Sequence, residues 1–84
     1  MIREQKEYEI GTLLRCRNRK FDQGVVGARL YENAIIIGKR LNVVDLLEQV
    51  YYKIRLDSGE EQVVSAKILK AYLKSGRYEI LSEG

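Results

Sequence analysis

The chain has 84 residues, 45% of them hydrophobic and 32% charged, with a formal net charge of +3 and no histidine. That length makes one domain with a modest core and leaves no room for a deep catalytic cavity beside it. The missing histidine excludes His-based acid–base catalysis, His-containing triads and most transition-metal sites.

Residues 1–9 read as a charged lead-in, and residues 10–82 as a single small β-barrel domain. The first residues, Met-Ile-Arg-Glu-Gln-Lys-Glu, alternate charge and show no apolar signal region. The longest uninterrupted apolar run, residues 34–37, is far short of the roughly 20 residues of a spanning helix. A cytoplasmic protein without membrane contact is therefore expected. The lone Cys16 excludes an intrachain disulfide and falls on the side of Leu14, so it reads as a small core residue.

From Tyr8 to Arg19 the pattern is strand-like, with Gly11 as a bend; strict alternation turns Leu14 and Cys16 inward and Arg15, Arg17 and Arg19 outward. Asp22-Gln23-Gly24 signals a turn, and residues 25–31 read as a second strand with Gly27 allowing close approach or curvature. Glu32-Asn33 reads as a further turn into residues 34–41, whose three isoleucines favour a buried, pleated setting. Residues 42–50 are open between one helical turn, capped by Asp45 with Glu48, and an irregular loop.

Tyr52, Ile54 and Leu56 alternate with Tyr51, Lys53 and Arg55, and Ser58-Gly59 supplies a two-residue hairpin loop. That turn sets Ile54 opposite Val63, giving an inner face of Tyr52, Ile54, Leu56 and Val63. Ser65 is placed to cap a helix over residues 66–75, with Gly76 as its stop. Its apolar stripe is Ile68, Leu69, Tyr72 and Leu73, with Lys67, Lys70 and Lys74 on another face. Residues 77–81 close the chain as a last strand. The repeated tripeptides Tyr8-Glu9-Ile10 and Tyr78-Glu79-Ile80 suggest terminal strands side by side.

Five short strands, Gly-containing turns and a helical piece before the last strand predict a mainly β fold, a five-stranded small barrel, with a small α+β roll as the alternative. Gly24-Val25-Val26-Gly27-Ala28 and the segment Tyr52-Lys53-Ile54-Arg55-Leu56-Asp57-Ser58-Gly59-Glu60-Glu61-Gln62-Val63-Val64 carry a likeness over residues 10–81. On these residues the chain resembles the SH3-like barrel superfamily, particularly its Tudor-type and KOW-type members. The resemblance implies a binding module: Tudor-like domains hold methylated Lys or Arg in aromatic cages, and KOW-like ones touch RNA or ribosomal and polymerase proteins. Phe21, Tyr31, Tyr51, Tyr52, Tyr72 and Tyr78 are the rings such a cage could use.

No enzyme or cofactor site is expected. Glu60 and Glu61 point to opposite faces of a strand, which is wrong for paired acid–base work, and Asp45 with Glu48 suits a surface. Gly24-Val25-Val26-Gly27 lacks the third Gly and the Lys-Ser/Thr of a phosphate loop. What remains is charge. Between Leu13 and Arg29 five cations, Arg15, Arg17, Arg19, Lys20 and Arg29, face one acid, Asp22. Alternation makes Arg15, Arg17 and Arg19 a row spaced about 7 Å apart, suited to successive phosphates. Lys53 and Arg55 extend this basic face, and Tyr51 beside them could stack a base.

The expected partner is a nucleic acid (RNA or DNA) or a protein, bound through the basic sheet face. The alternative is a small homo-oligomeric accessory protein, a homodimer among the options, that uses Leu46, Leu47 and Val50 as an apolar patch.

Overall fold

A computed structural model describes residues 8–44 and 47–84, the side chains of 44, 47 and 48 excepted. The elements in chain order are β1 (Leu13–Arg17), α1 (Arg19–Asp22), β2 (Tyr31–Val44), β3 (Leu47–Leu56), β4 (Glu61–Ser65), α2 (Ala66–Ser75) and β5 (Tyr78–Ser82). The strands form one antiparallel sheet in the order β4-β3-β2-β1-β5. The mainly β expectation holds. The sheet is not closed into a barrel: β4 and β5 form its two edges, and α2 bridges them.

Alternation builds the core. Leu14 and Cys16 of β1, Ala34 and Ile36 of β2, Tyr52, Ile54 and Leu56 of β3, Val64 of β4 and Tyr78 of β5 are buried together with Leu69 of α2. α2 forms where the sequence places it. Ser65 Oγ accepts a hydrogen bond from the Ile68 N–H at 3.2 Å, and Gly76 ends the helix at φ 84°. Leu69 is fully buried, Tyr72 and Leu73 pack beside it, and Ile68 stays half exposed.

The β3–β4 turn corrects the expected register. The Gly59 N–H donates to Leu56 O and the Leu56 N–H to Glu60 O, and Gly59 takes φ +91°. This is a three-residue loop, Asp57-Ser58-Gly59, with a left-handed glycine ending a tight turn. One extra loop residue slides the pairing by one, so Ile54 faces Gln62, Lys53 faces Val63 and Tyr52 faces Val64. Val64 therefore joins the core and Val63 is left 66% exposed, since a one-residue slip exchanges faces.

Further expectations are overturned. Residues 25–30 are turns rather than a strand, because Gly24 and Gly27 take positive φ and Val26 projects fully into solvent. Glu32-Asn33 is not a turn but the opening of β2, which pairs with β1. Residues 42–44 and 47–50 are neither helix nor loop but continue the β2–β3 ladder; Asp45 and Leu46 lie outside the described residues, as does the side chain of Leu47. Tyr8-Glu9-Ile10 does not pair with Tyr78-Glu79-Ile80, whose partners are in β1. Tyr8 belongs to the packed body rather than the lead-in: its N–H donates to the Tyr52 hydroxyl at 3.0 Å and its ring meets Tyr52 edge-on at 6.1 Å. Residues 1–7 lie outside the described residues.

A bulge at Ile37, where Ile36 faces Ile54 and Gly38 faces Lys53, exchanges the faces of β2. Inward positions are even-numbered before it (Ala34, Ile36), whereas the odd-numbered Lys39 and Leu41 follow the Tyr52 side after it. β2 has fourteen residues, about 45 Å of strand at roughly 3.3 Å per residue. It sets the long axis of a molecule measuring 48 × 25 × 23 Å. Its outer half and the facing half of β3 form a projecting two-stranded arm.

Candidate polyanion-binding surface

The structure distributes the sequence-predicted cations over three places. Arg15, Lys53 and Arg55 lie on the outer face of the sheet, across from the core. Arg17 leaves the end of β1 and lines a small notch, of about 150 Å³, with Arg19, Lys20, Cys16, Arg77 and Tyr78. Arg29 is exposed in the turn segment before β2. Arg19 is not part of an outward row: Asn18 Oδ1 accepts from the Lys20 N–H at 3.0 Å and caps α1, which carries Arg19 and Lys20 off the sheet.

Most outer-face cations are already matched to acids. Arg15 Nη2 pairs with Glu79 of β5, and its guanidinium lies 4.9 Å above the Tyr31 ring. Arg17 donates from Nε at 3.0 Å and from Nη2 at 2.8 Å to Asp22 Oδ1, which raises its already high pKa. Glu61 of β4 takes Arg55 at 2.8 Å on one oxygen and Lys53 at 3.1 Å on the other. Arg55 first and Lys53 second hold the Glu61 carboxyl below its usual range. Tyr51 donates its hydroxyl to Gln49 Oε1 at 2.8 Å and shares a shallow groove at the base of the arm with Arg40, Lys53 and Val63. Among the described residues no ion pair forms at Arg19, Lys20 or Arg29.

The aromatic rings do not converge on a cage. Tyr52 is fully buried. Tyr78 is buried against Tyr72, their centroids 5.1 Å apart, and its hydroxyl bonds Gln62 at 3.1 Å. Three other ring faces carry the chain's own guanidinium groups: Arg15 over Tyr31, Arg17 over Phe21 at 5.8 Å and Arg77 over Tyr72 at 5.5 Å.

Within the notch, burial raises the Cys16 thiol to about 11, with Glu32 and Asp57 adding to it and Arg77 opposing. Burial likewise raises Tyr78 to about 12, with Cys16 adding to it. Both groups are neutral at ordinary pH, and Cys16 is 3% exposed, as expected of a core residue.

Besides Arg19, Lys20 and Arg29, a second group of cations without an ion pair lies on α2, where the sequence names them without assigning them to a site. Lys67, Lys70 and Lys74 fall within about 60° of one another at 100° per residue and lie across the helix from the apolar stripe of Ile68, Leu69, Tyr72 and Leu73. All three are exposed, and none forms an ion pair among the described residues. From Ser65 to Tyr78 the chain has Lys67, Lys70, Lys74 and Arg77 and no Asp or Glu. Arg77 continues this charge into the notch, beside Arg19 and Lys20. The missing acids around the helix were the signal that could have found it.

Comparison with known proteins gave no match to a family, to a characterised protein or to a solved structure. Among the described residues no helix is long and apolar enough to cross a membrane.

Proposed function

We propose that the chain is a non-enzymatic binding module of the cytoplasm that holds the phosphate backbone of a nucleic acid against the lysine face of α2. The observation that carries this reading is the contrast in pairing: Arg15, Arg17, Lys53 and Arg55 each have a carboxylate partner, whereas Lys67, Lys70 and Lys74 have none among the described residues. A charge already neutralised inside the protein releases fewer counterions from a polyanion than a free one. The three lysines span about 10 Å of helix, room for roughly three phosphates at 3.4 Å of axial rise per strand. Five antiparallel strands with a helix before the last support an SH3-like kinship. The rings occupied by Arg15, Arg17 and Arg77 favour its nucleic-acid-binding branch over the methyl-cation readers.

The test is fluorescence anisotropy of labelled single-stranded and duplex nucleic acid as salt is raised. With Lys67, Lys70 and Lys74 all changed to Gln, the salt slope on duplex should flatten by about 2.7, at roughly 0.9 per phosphate contact. The triple variant then lacks a roughly 40-fold loss of affinity that the parent shows between about 50 and 200 mM salt. Glu61→Gln, which frees Lys53 and Arg55, should leave the slope unchanged. A steeper slope in Glu61→Gln together with the parental slope in the triple variant would move the contact to the sheet face. That result, or no binding at low salt, overturns the reading.

A further inference from the structure

The arm has the physical chemistry of an unfinished sheet. β1 covers β2 only from Tyr31 to Ile35, and the last bonds on that side join Ile36 to Gly11 and Thr12. Past Ile36, β2 has no strand partner on that edge among the described residues. On the far side β4 stops at Ser65, opposite Tyr51, so residues 47–50 of β3 have no strand partner there among the described residues. A two-stranded ribbon is marginal in water, and an open edge is a template for another strand. The β2 edge also carries Leu41 and Val43, 57% and 60% exposed. These two lie on one face, with Val50 opposite Leu41 and packed against the core.

We infer that residues 40–44 of β2 pair antiparallel with the same residues of a second copy, with Asn42 on the two-fold axis. The occupant follows from self-complementarity. A two-fold requires the edge to match its own reverse. Centring it on Asn42 sets Leu41 against Val43 of the second copy twice over and Asn42 against Asn42. Centring it on Leu41 sets Lys39 against Val43 instead. Centring it on Arg40 opposes two like charges, which is destabilising. Any odd shift joins the apolar face of one arm to the polar face of the other. The chosen register makes a four-stranded ribbon in which Val50, Leu41 and Val43 of both copies form one apolar band, and three or more strands with such a face support themselves. This pairing does not depend on α2 or on nucleic acid.

Asn42→Cys gives a register-specific test. On the two-fold axis the two Cα atoms stand about 4.5–5.5 Å apart, inside the range a disulfide spans. Gln49, the β3 partner of Asn42, would be separated from its own copy by three strand spacings, about 14 Å. Under mild oxidation the Asn42→Cys protein should become a covalent dimer, reversed by thiol, while Gln49→Cys remains single; buried Cys16 does not compete. Light scattering should give a dimer mass for the native protein and a monomer for Leu41→Ser with Val43→Ser, at an unchanged circular dichroism spectrum. A native protein that stays monomeric over a wide concentration range overturns the proposal, whatever else then covers the edge, residues 1–7 or a different protein included. So does cross-linking of Gln49→Cys as fast as Asn42→Cys.

Discussion

Alkali should destabilise this fold in two overlapping steps, one at Cys16 and one at Tyr78. Burial, with Glu32 and Asp57 nearby, holds the Cys16 proton up to about 11 against an ordinary 9.0. Burial, with Cys16 alongside, pushes Tyr78 up to about 12 against 10.0. In both cases the folded chain keeps a proton that the unfolded chain has already released. The unfolded state then binds fewer protons, and stability falls as pH rises. The contribution is complete below 9.0 and is lost from 9.0 to about 11 for Cys16 and from 10.0 to about 12 for Tyr78. At about 1.4 kcal/mol per pKa unit, each group removes on the order of 2–3 kcal/mol by the end of its window. Together they rival the whole stability of a chain this size, about 4–13 kcal/mol at the usual value per residue. The assay is urea unfolding followed by circular dichroism at steps from about pH 8 upward. Cys16→Ala should start lower, because it loses packing, yet decline less between about pH 9 and 10, where Tyr78 scarcely contributes. Parallel declines of parent and variant across that interval would refute the idea that burial holds the thiol proton.

Two further changes test the packing that presents α2 and fixes the hairpin register. Leu69→Ala removes the one fully buried side chain of α2 and should cost about 2–5 kcal/mol in urea unfolding, as buried leucines do; a cost within measurement error would mean that the helix is not anchored there. Gly59→Ala forces a side chain into φ +91° where no atom lies within 4 Å of the added Cβ, so its cost, about 1–2 kcal/mol from backbone strain alone, should appear as a lower urea midpoint at an unchanged m-value.

What could be read from the sequence was local. Ser65, Leu69 and Gly76 define α2 over a span of twelve residues, and both caps and the buried Leu69 form where their spacing puts them. The inner face Tyr52, Ile54, Leu56 was equally clear, because alternation needs no knowledge of the partner strand. The register of β4 was not: Ser58-Gly59 fits a two-residue loop as well as the last two positions of a three-residue one, and a single backbone angle at Gly59 decides between Val63 and Val64 as the core residue. The β2–β3 arm was hidden for a related reason. The bulge at Ile37 breaks the alternation of β2, so the outer half of the strand looks aperiodic when read in phase with the inner half.

Charge shows the same division between local and distant partners. Arg15 looks free in the sequence because its acid, Glu79, stands 64 positions away and reaches it only through the β1–β5 pairing. Lys53 and Arg55 look free because a three-residue loop is needed to bring Glu61 opposite Arg55. A helix differs, since its surface partners are the residues three and four positions away. Lys67, Lys70 and Lys74 have no acid at any of those positions, and a lysine facing away from the core meets no other element of its own fold. Absence of acid over one helix is therefore a stronger sign of available charge than an excess of arginine along a strand. That inequality, rather than the number of cations on either surface, is why the proposed polyanion contact is put on α2.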